Sequence, residues 1–369
     1  MRSFERGVQG ESLETLIFSV ARSYGFTAPP LSLTRKDTAD VPDHVDKDTA
    51  LVATLVGKMG PVTQTTQVWA TAKKGGGTAV VFAAASPKIS IAQAFVVKAA
   101  LATAESAGFS EPLVLISSVG DAESRRRYVR EMGNFFKKCA KELPDDILER
   151  SHKDPDGALK ELIETEHPLH GSVPRTIDYL SESSRKIMLE TIDLFEKLNI
   201  NYELESRLPY TPEVNHELTF AVVGKDRKGN LVRVATGGRI ENHAKKKEKN
   251  APEFVGINVF VPDQVTLRKS TREPLPACFV VHIGEAAKIK AFTLLDSLWR
   301  AHISLGQALL EETIQDQMEK VAESKTKYVA IIGQREALDD TVILKNAATQ
   351  LQETIPLDKL AGRMSRVRV

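Results

Sequence analysis

The segment Lys327-Tyr-Val-Ala-Ile-Ile-Gly-Gln-Arg-Glu336 decides the fold of the last part of this chain. Its apolar run from Tyr328 to Ile332, closed by Gly333, reads as a buried strand. Upstream, Cys278-Phe-Val-Val-His-Ile283 reads as another short apolar strand. Between them, Ala286 to His302 carries Phe292, Leu295 and Trp299 at helical spacing, and Ile314 to Ser324 is a second helical segment. Strands alternating with helices imply βαβ units in a mainly parallel sheet, and Pro274 and Pro276 make a linker into this module.

Further upstream the pattern differs. Ser12 to Tyr24 places Leu13, Leu16, Ile17, Val20 and Ala21 on one helical face, and Gly25 leads into an extended stretch ending at Pro29-Pro30. Ala50 to Met59 is a second apolar stretch. Thr66 to Ala72 and Ala79 to Ala84 flank Lys73-Lys-Gly-Gly-Gly77 and predict a β-hairpin. Ile91 to Ala107 predicts a helix closed by Gly108, followed by a buried strand from Pro112 to Val119. From Arg125 to Arg150 a charged helical region keeps Tyr128, Met132, Phe135 and Phe136 on one side. Residues 151–180, with Pro155, Pro168 and Pro174, read as irregular. A helix from Ser181 to Leu198 precedes strand candidates at 202–204, 218–223 and 231–235, so the middle of the chain is strand-rich and antiparallel.

Composition narrows the function classes. A chain of 369 residues with 42% hydrophobic and 27% charged residues has room for two or three domains. Fifty basic against 49 acidic side chains give a net charge of +1, so nucleic-acid contact has to be a local patch. Cys139 and Cys278 lie far apart without metal-ligand spacing, which argues against zinc and against a disulfide framework. Met1 to Arg6 lacks the apolar core of a signal peptide, and no run approaches 18 apolar residues. The expectation is a cytoplasmic protein with no membrane partner and no metal site; His216 and His282 have no companions at catalytic or metal spacing.

The C-terminal segments quoted above, together with Val342-Ile-Leu-Lys-Asn-Ala-Ala-Thr-Gln350 and Thr354-Ile-Pro-Leu-Asp-Lys-Leu360, resemble the anticodon-binding end of histidyl-tRNA synthetases. Leu113 to Asp121 with Tyr128 is similar to that family's strand and glycine turn before a charged helix. Ser12 to Pro30 resembles the first class II motif, Thr236-Gly-Gly-Arg239 the glycine-rich strand at the histidine pocket, and Pro252 to Ile257 the start of the third motif. The resemblance implies an α+β fold: a class II synthetase-like antiparallel sheet core over residues 1–273, followed by a small α/β anticodon-binding-like domain over 274–369. It also implies a homodimer through the first-motif region, with tRNA or another structured RNA as partner.

Departures from the family pattern bear on activity. Joining an amino acid to the α-phosphate of ATP builds negative charge that arginines are best suited to stabilise. The hairpin placed like the second motif has Trp69-Ala70-Thr71-Ala72 where the family carries an arginine and a glutamate, and the third-motif strand Gly256-Ile-Asn-Val-Phe-Val-Pro262 has no arginine. Lys73 and Lys74 offer phosphate contacts, or simply belong to a flexible turn. The histidine-specific segment is reduced to Arg207-Leu-Pro-Tyr-Thr211. A degenerate pocket of Arg207, Tyr210, Gly237, Gly238 and Arg239 is thus expected, with no catalytic residue assigned. Lys325, Lys327, Arg335 and Lys345 are the candidate RNA contacts, and His243 to Lys249 is a basic loop. The leading expectation is a protein that has lost adenylation and binds RNA or a partner protein. Regulatory relatives serving a phosphoribosyltransferase of histidine biosynthesis typically lack the C-terminal module. The alternative is a divergent histidine-tRNA ligase using ATP and magnesium.

Overall fold

Two sheets organise the described residues, 13–28, 47–59, 65–73, 76–86, 89–206, 208, 210–211, 214–240, 253–263 and 275–366, of this computed structural model. In chain order the first part contains α1 (Leu13–Ser23), α2 (Lys47–Lys58), β1 (Thr65–Ala72), β2 (Thr78–Ser86), α3 (Ile89–Ser106), β3 (Ser110–Gly120), α4 (Ala122–Cys139), α5 (Asp145–Lys153) and α6 (Pro155–Glu164). There follow α7 (Glu182–Lys197), β4 (Tyr202–Leu204), β5 (Asn215–Lys225), β6 (Leu231–Ile240) and β7 (Glu253–Val261). The last part contains β8 (Cys278–His282), α8 (Glu285–Arg300), β9 (Leu305–Gln307), α9 (Ile314–Ser324), β10 (Tyr328–Ile332), α10 (Gln334–Leu338), β11 (Thr341–Asn346), β12 (Gln352–Pro356) and α11 (Leu360–Ser365).

The larger sheet has the order β1-β2-β7-β6-β5-β3-β4 and is antiparallel except where β4 joins β3 in parallel. Alternation sorts its side chains onto two faces. Val80, Phe82 and Ala84 of β2 join the cluster around α3, whereas Ala79, Val81, Ala83 and Ala85 join the cluster around α2. Helix α3 is apolar nearly all round because the sheet, α1, α7 and α8 enclose it. It is the one helix among the described residues long and apolar enough to cross a membrane, and 72% of that window is buried inside the protein.

The predicted irregularity of 151–180 is corrected in part. Residues Pro155–Glu164 form α6, because Pro155 takes the first helical position, where no N–H is needed, and the Asp154 carboxylate accepts from Gly157 N at 2.9 Å. The apolar sides of α4, α5 and α6 close on one another as a satellite core containing Met132, Phe136, Ile147 and Leu162.

The smaller sheet has the order β12-β11-β10-β8-β9. Strands β8, β9 and β10 are parallel, as expected, but β11 and β12 are antiparallel. The link from β10 to β11 holds only α10 and a tight turn, too short for the crossover a parallel neighbour requires.

This smaller sheet is attached to the larger one through α8. Phe95 and Phe292 pack with ring centroids 4.6 Å apart and planes tilted by 43°, and Leu295 and Leu298 belong to the same apolar cluster as β2 and β7. At the edge of that contact Asp296 accepts hydrogen bonds from Tyr24 Oη and from Lys98 Nζ, the latter at 2.5 Å. Gln307 Nε2 donates to Tyr24 O at 3.2 Å, and Arg300 pairs with Glu105 at 3.2 Å.

Candidate functional site

The hairpin, β6 and β7 bring together the segments read as ligand-binding motifs, and their α2 face carries apolar chemistry. Trp69, Ala79, Val81, Ala83, Ala85, Ile240 and Phe254 pack against Leu51, Val52, Leu55, Val56 and Met59 of α2. Gly256 exists for this approach: a Cβ there would lie 2.5 Å from Val52 Cγ1. Hydrogen-bonding groups lie in the same rows of the sheet, where Thr219 pairs with Gly238 and Thr236 with Asn258. Thr219 Oγ1 and Asn258 Oδ1 are buried without partners. Lys73 Nζ, at the rim, is bound to Asp48 at 2.8 Å and lies 5.4 Å from the centroid of Phe260. A positive side chain is thus present, but already paired, and Lys74 lies outside the described residues. Ala70 packs on the opposite face, toward α3, so it and Trp69 do not share a surface. Among the described residues this face is apolar apart from Thr219, Thr236, Asn258 and the rim lysine, whereas a nucleotide triphosphate needs donors and cations aimed at its phosphates.

Gly237 and Gly238 are accounted for by the sheet itself. A Cβ at Gly237 would meet Gly256 O at 2.2 Å, and one at Gly238 would meet Leu218 O at 2.5 Å, so neighbouring strands claim the space. Arg239 points to the other face. It is paired with Val255, whose side chain joins the α3 cluster, and it is only 4% exposed. Its guanidinium forms an ion pair with Glu253, while Nη1 is buried without a partner. Burial lowers the Arg239 pKa to about 10, and the Glu217 carboxylate works in the opposite direction. Glu217 is itself buried, which raises its pKa against the pull of a hydrogen bond from Ser184 and the charge of Arg239. It adopts φ 58° at an irregularity in β5, a left-handed backbone uncommon for a side-chain-bearing residue.

Of the five residues expected to form the pocket, the four that are described do not share one face. Arg207 lies outside the described residues. Tyr210 turns toward the helical satellite, donating to Asp156 Oδ1 at 2.6 Å beside Tyr128; burial first, and the Asp156 charge second, raise its pKa well above the ordinary value. Nothing in the isolated sequence signalled this pairing across 54 residues. A second polar group was legible: Asp121-x-x-Ser124 and Ser181-x-x-Ser184 are helix N-cap patterns. In the structure they interlock, with Ser181 N donating to Ser124 Oγ at 2.8 Å, Asp121 N donating to Ser184 Oγ at 3.0 Å and Ser181 Oγ donating to Asp121 Oδ2 at 2.9 Å. Burial would raise the Asp121 pKa, but hydrogen bonds from Ser124, Ser181 and Ser183 outweigh it and bring it to about 2.

On the smaller sheet, Lys325 and Lys327 are exposed just before β10, and Lys345 pairs with Val329 near the same end. Lys327 O accepts from Ala347 N at 2.9 Å, which fixes the β11 end beside it. Three of the four basic candidates therefore gather at one end of the sheet. Arg335 does not: it sits on α10 at the opposite end of β10 and pairs with Asp339 at 3.5 Å. The segment 243–249 lies outside the described residues.

The family described as "Anticodon binding domain" matches residues 277–366, which covers β8 through α11. A histidine–tRNA ligase of Anoxybacillus flavithermus is 27% identical over 268 residues, covering 70% of this chain and 63% of the relative. One from a Geobacillus species is 28% identical over 282 residues, covering 73% and 66%. The chain is similar to class II proteins related to histidyl-tRNA synthetase. The chain spans less than two thirds of the length of those curated relatives. The apo histidyl-tRNA synthetase of S. aureus superimposes with a TM-score of 0.47 at 18% identity, over 99% of this chain and 100% of that one.

Proposed function

We propose that this synthetase-related chain is an RNA-binding homodimer that does not form an aminoacyl adenylate. The reading rests on the α2 face of the larger sheet. Where the motif resemblance puts ATP and the amino acid, Trp69, Val81, Ala83 and Phe254 meet Val52, Leu55 and Val56, and the rim lysine is neutralised by Asp48. Losing one well-placed donor to a developing oxyanion typically costs about 100- to 1000-fold in rate. Histidine-dependent exchange of pyrophosphate into ATP, run beside a conventional histidyl-tRNA synthetase, is the test. We expect no exchange above background; a rate within about tenfold of the control would replace this reading with the active ligase, the reading favoured by the names of the curated relatives.

The choice of RNA as partner rests on Lys325, Lys327 and Lys345 at one end of the smaller sheet. Their phosphate contacts should weaken steeply with salt, and charge reversal of all three should abolish tRNA retention. Retention unchanged by that variant would exclude this end of the sheet; no binding to any structured RNA would turn the reading toward a protein partner. For the dimer, α1 already spends Ile17, Val20 and Ala21 on its own chain, while Leu16 and Phe18 remain half-buried. Light scattering at micromolar concentration should give a dimer mass that Leu16→Glu shifts toward the monomer; a monomeric mass for the unaltered protein removes the dimer.

A further inference from the structure

A cleft of about 880 Å³ lies where the two sheets' helices meet, on the side of the larger sheet away from α2. Its apolar lining is Ile89 and Ile91 of α3, Ile187 and Leu194 of α7 and Ile289 of α8; the exposed Glu190, Asp193, Lys197 and Glu285, with Lys290, line its solvent side, and Arg239 reaches it from the end of β6. The first turns of two long helices contribute to it: Ile89 to Ile91 open α3, and Glu285 and Ala286 open α8. Helix starts carry unsatisfied N–H groups and a partial positive charge, which favours an anion but does not by itself make a site.

Arg239 supplies the independent observation. It is 96% buried by the 4% exposure of its side chain, yet Nη1 has no hydrogen-bond partner. A buried guanidinium donor left unsatisfied is costly, and a group that meets it recovers that cost. Its present partner, Glu253, is different in kind: 47% exposed, it stands at the cleft margin and can turn into water. A ligand carboxylate taking the place of Glu253 on the guanidinium leaves the local charge unchanged and engages Nη1 as well.

We propose that this cleft binds a small organic carboxylate with an apolar body, its carboxylate on Arg239 and its body between the isoleucines and Leu194. The isoleucine walls give no hydrogen bond to a body buried there, so they select apolar groups, while Arg239 selects the acid. The site lies on the face opposite Gly256 and Val52 and stands whether or not the chain makes adenylates.

Phenylacetate is a suitable probe, with phenylacetamide as the neutral isostere and inorganic phosphate as the anion without a body. Titration of the full chain by protein-observed NMR should show phenylacetate binding at least about tenfold more tightly than either. Arg239→Gln should remove the preference for the acid, but it alters a buried residue and is not decisive alone. Ile289→Trp fills the cleft from α8 and should abolish binding while the far-UV spectrum and melting temperature stay unchanged. Glu253→Gln removes the competing carboxylate and should tighten phenylacetate about tenfold, an effect no purely structural role of Arg239 would give. The proposal is overturned if phenylacetate does not bind, if the amide or phosphate binds equally well, or if Ile289→Trp leaves binding intact.

Discussion

Replacing Asp296 by alanine tests how the smaller sheet is held to the larger one. Asp296 accepts from Lys98 Nζ at 2.5 Å and from Tyr24 Oη, so one carboxylate joins α8 to both α3 and α1. The Lys98 side chain is 11% exposed and that of Asp296 is 23% exposed, which leaves the ammonium little access to water once its partner is gone. Burial, reinforced by the Asp296 charge, already pushes the Tyr24 pKa well above its ordinary value, so the phenol stays neutral and offers the lysine no charge in return. Breaking a buried pair by removing one member typically costs about 3 to 5 kcal/mol, and the partial exposure of Asp296 favours the low end, about 3 kcal/mol. With a urea slope of about 3 kcal/mol per molar for a chain of this size, the unfolding midpoint should fall by roughly 1 M. The double variant Lys98→Met with Asp296→Leu removes both charges and should recover most of the loss. Urea titration followed by tryptophan fluorescence and circular dichroism measures both. A single variant within about 0.5 kcal/mol of the parent, or a double variant no better than the single, would refute the idea that an unpaired buried ammonium dominates.

Other consequences follow from packing and protonation. Gly256→Val should destabilise by about 1 to 3 kcal/mol in chemical denaturation, since its side chain enters the space of Val52; Gly256→Val with Val52→Ala should regain part of it. His282 is 3% exposed, and burial first, then the charge of Lys288, lowers its pKa from 6.5 to about 4, with Glu285 and Glu312 opposing. As pH falls, the unfolded chain takes up this proton before the folded one, so stability is complete above about 6.5 and declines by about 3 kcal/mol toward pH 4. Denaturation midpoints between pH 7 and 4.5 should show that decline, and His282→Gln should flatten it. Tyr210→Phe should cost about 0.5 to 1.5 kcal/mol by removing its hydrogen bond to Asp156 Oδ1, read as earlier loss of amide protection in α6 than in β5.

Most of the architecture was written in local periodicity. The hairpin of β1 and β2, the apolar length of α3 and the alternation of β8, α8, α9 and β10 follow from residue spacing alone, because each buries a continuous face. Helix α6 was hidden by Pro155, which signals a break unless Asp154 is recognised as a cap. Strand β9, three residues long, carries no periodicity to read. The candidate pocket was harder still, because its residues come from strands whose register decides their side. Gly238 faces α2 and Arg239, one residue later, faces α3; the sequence holds them adjacent while the sheet separates them. Tyr210 and Asp156, or Arg239 and Glu253, are pairings made by topology, and no spacing rule reaches across it.

The interlocked caps of α4 and α7 bear on how much chain the satellite can hold. Asp121 and Ser181 stand 60 residues apart in sequence yet touch, so the chain leaves β3 for the helical satellite and returns to α7 through a clasped neck, with Tyr210 a further contact to the satellite. Loop-closure entropy grows only with the logarithm of length, about 0.6 kcal/mol for each doubling, so a neck that is already fastened is nearly indifferent to how much chain it encloses. The satellite keeps a core of its own, apart from the main cluster. A change in the length of the chain inside the satellite should therefore cost the sheet little, provided that the clasp at Asp121 and Ser181 is kept.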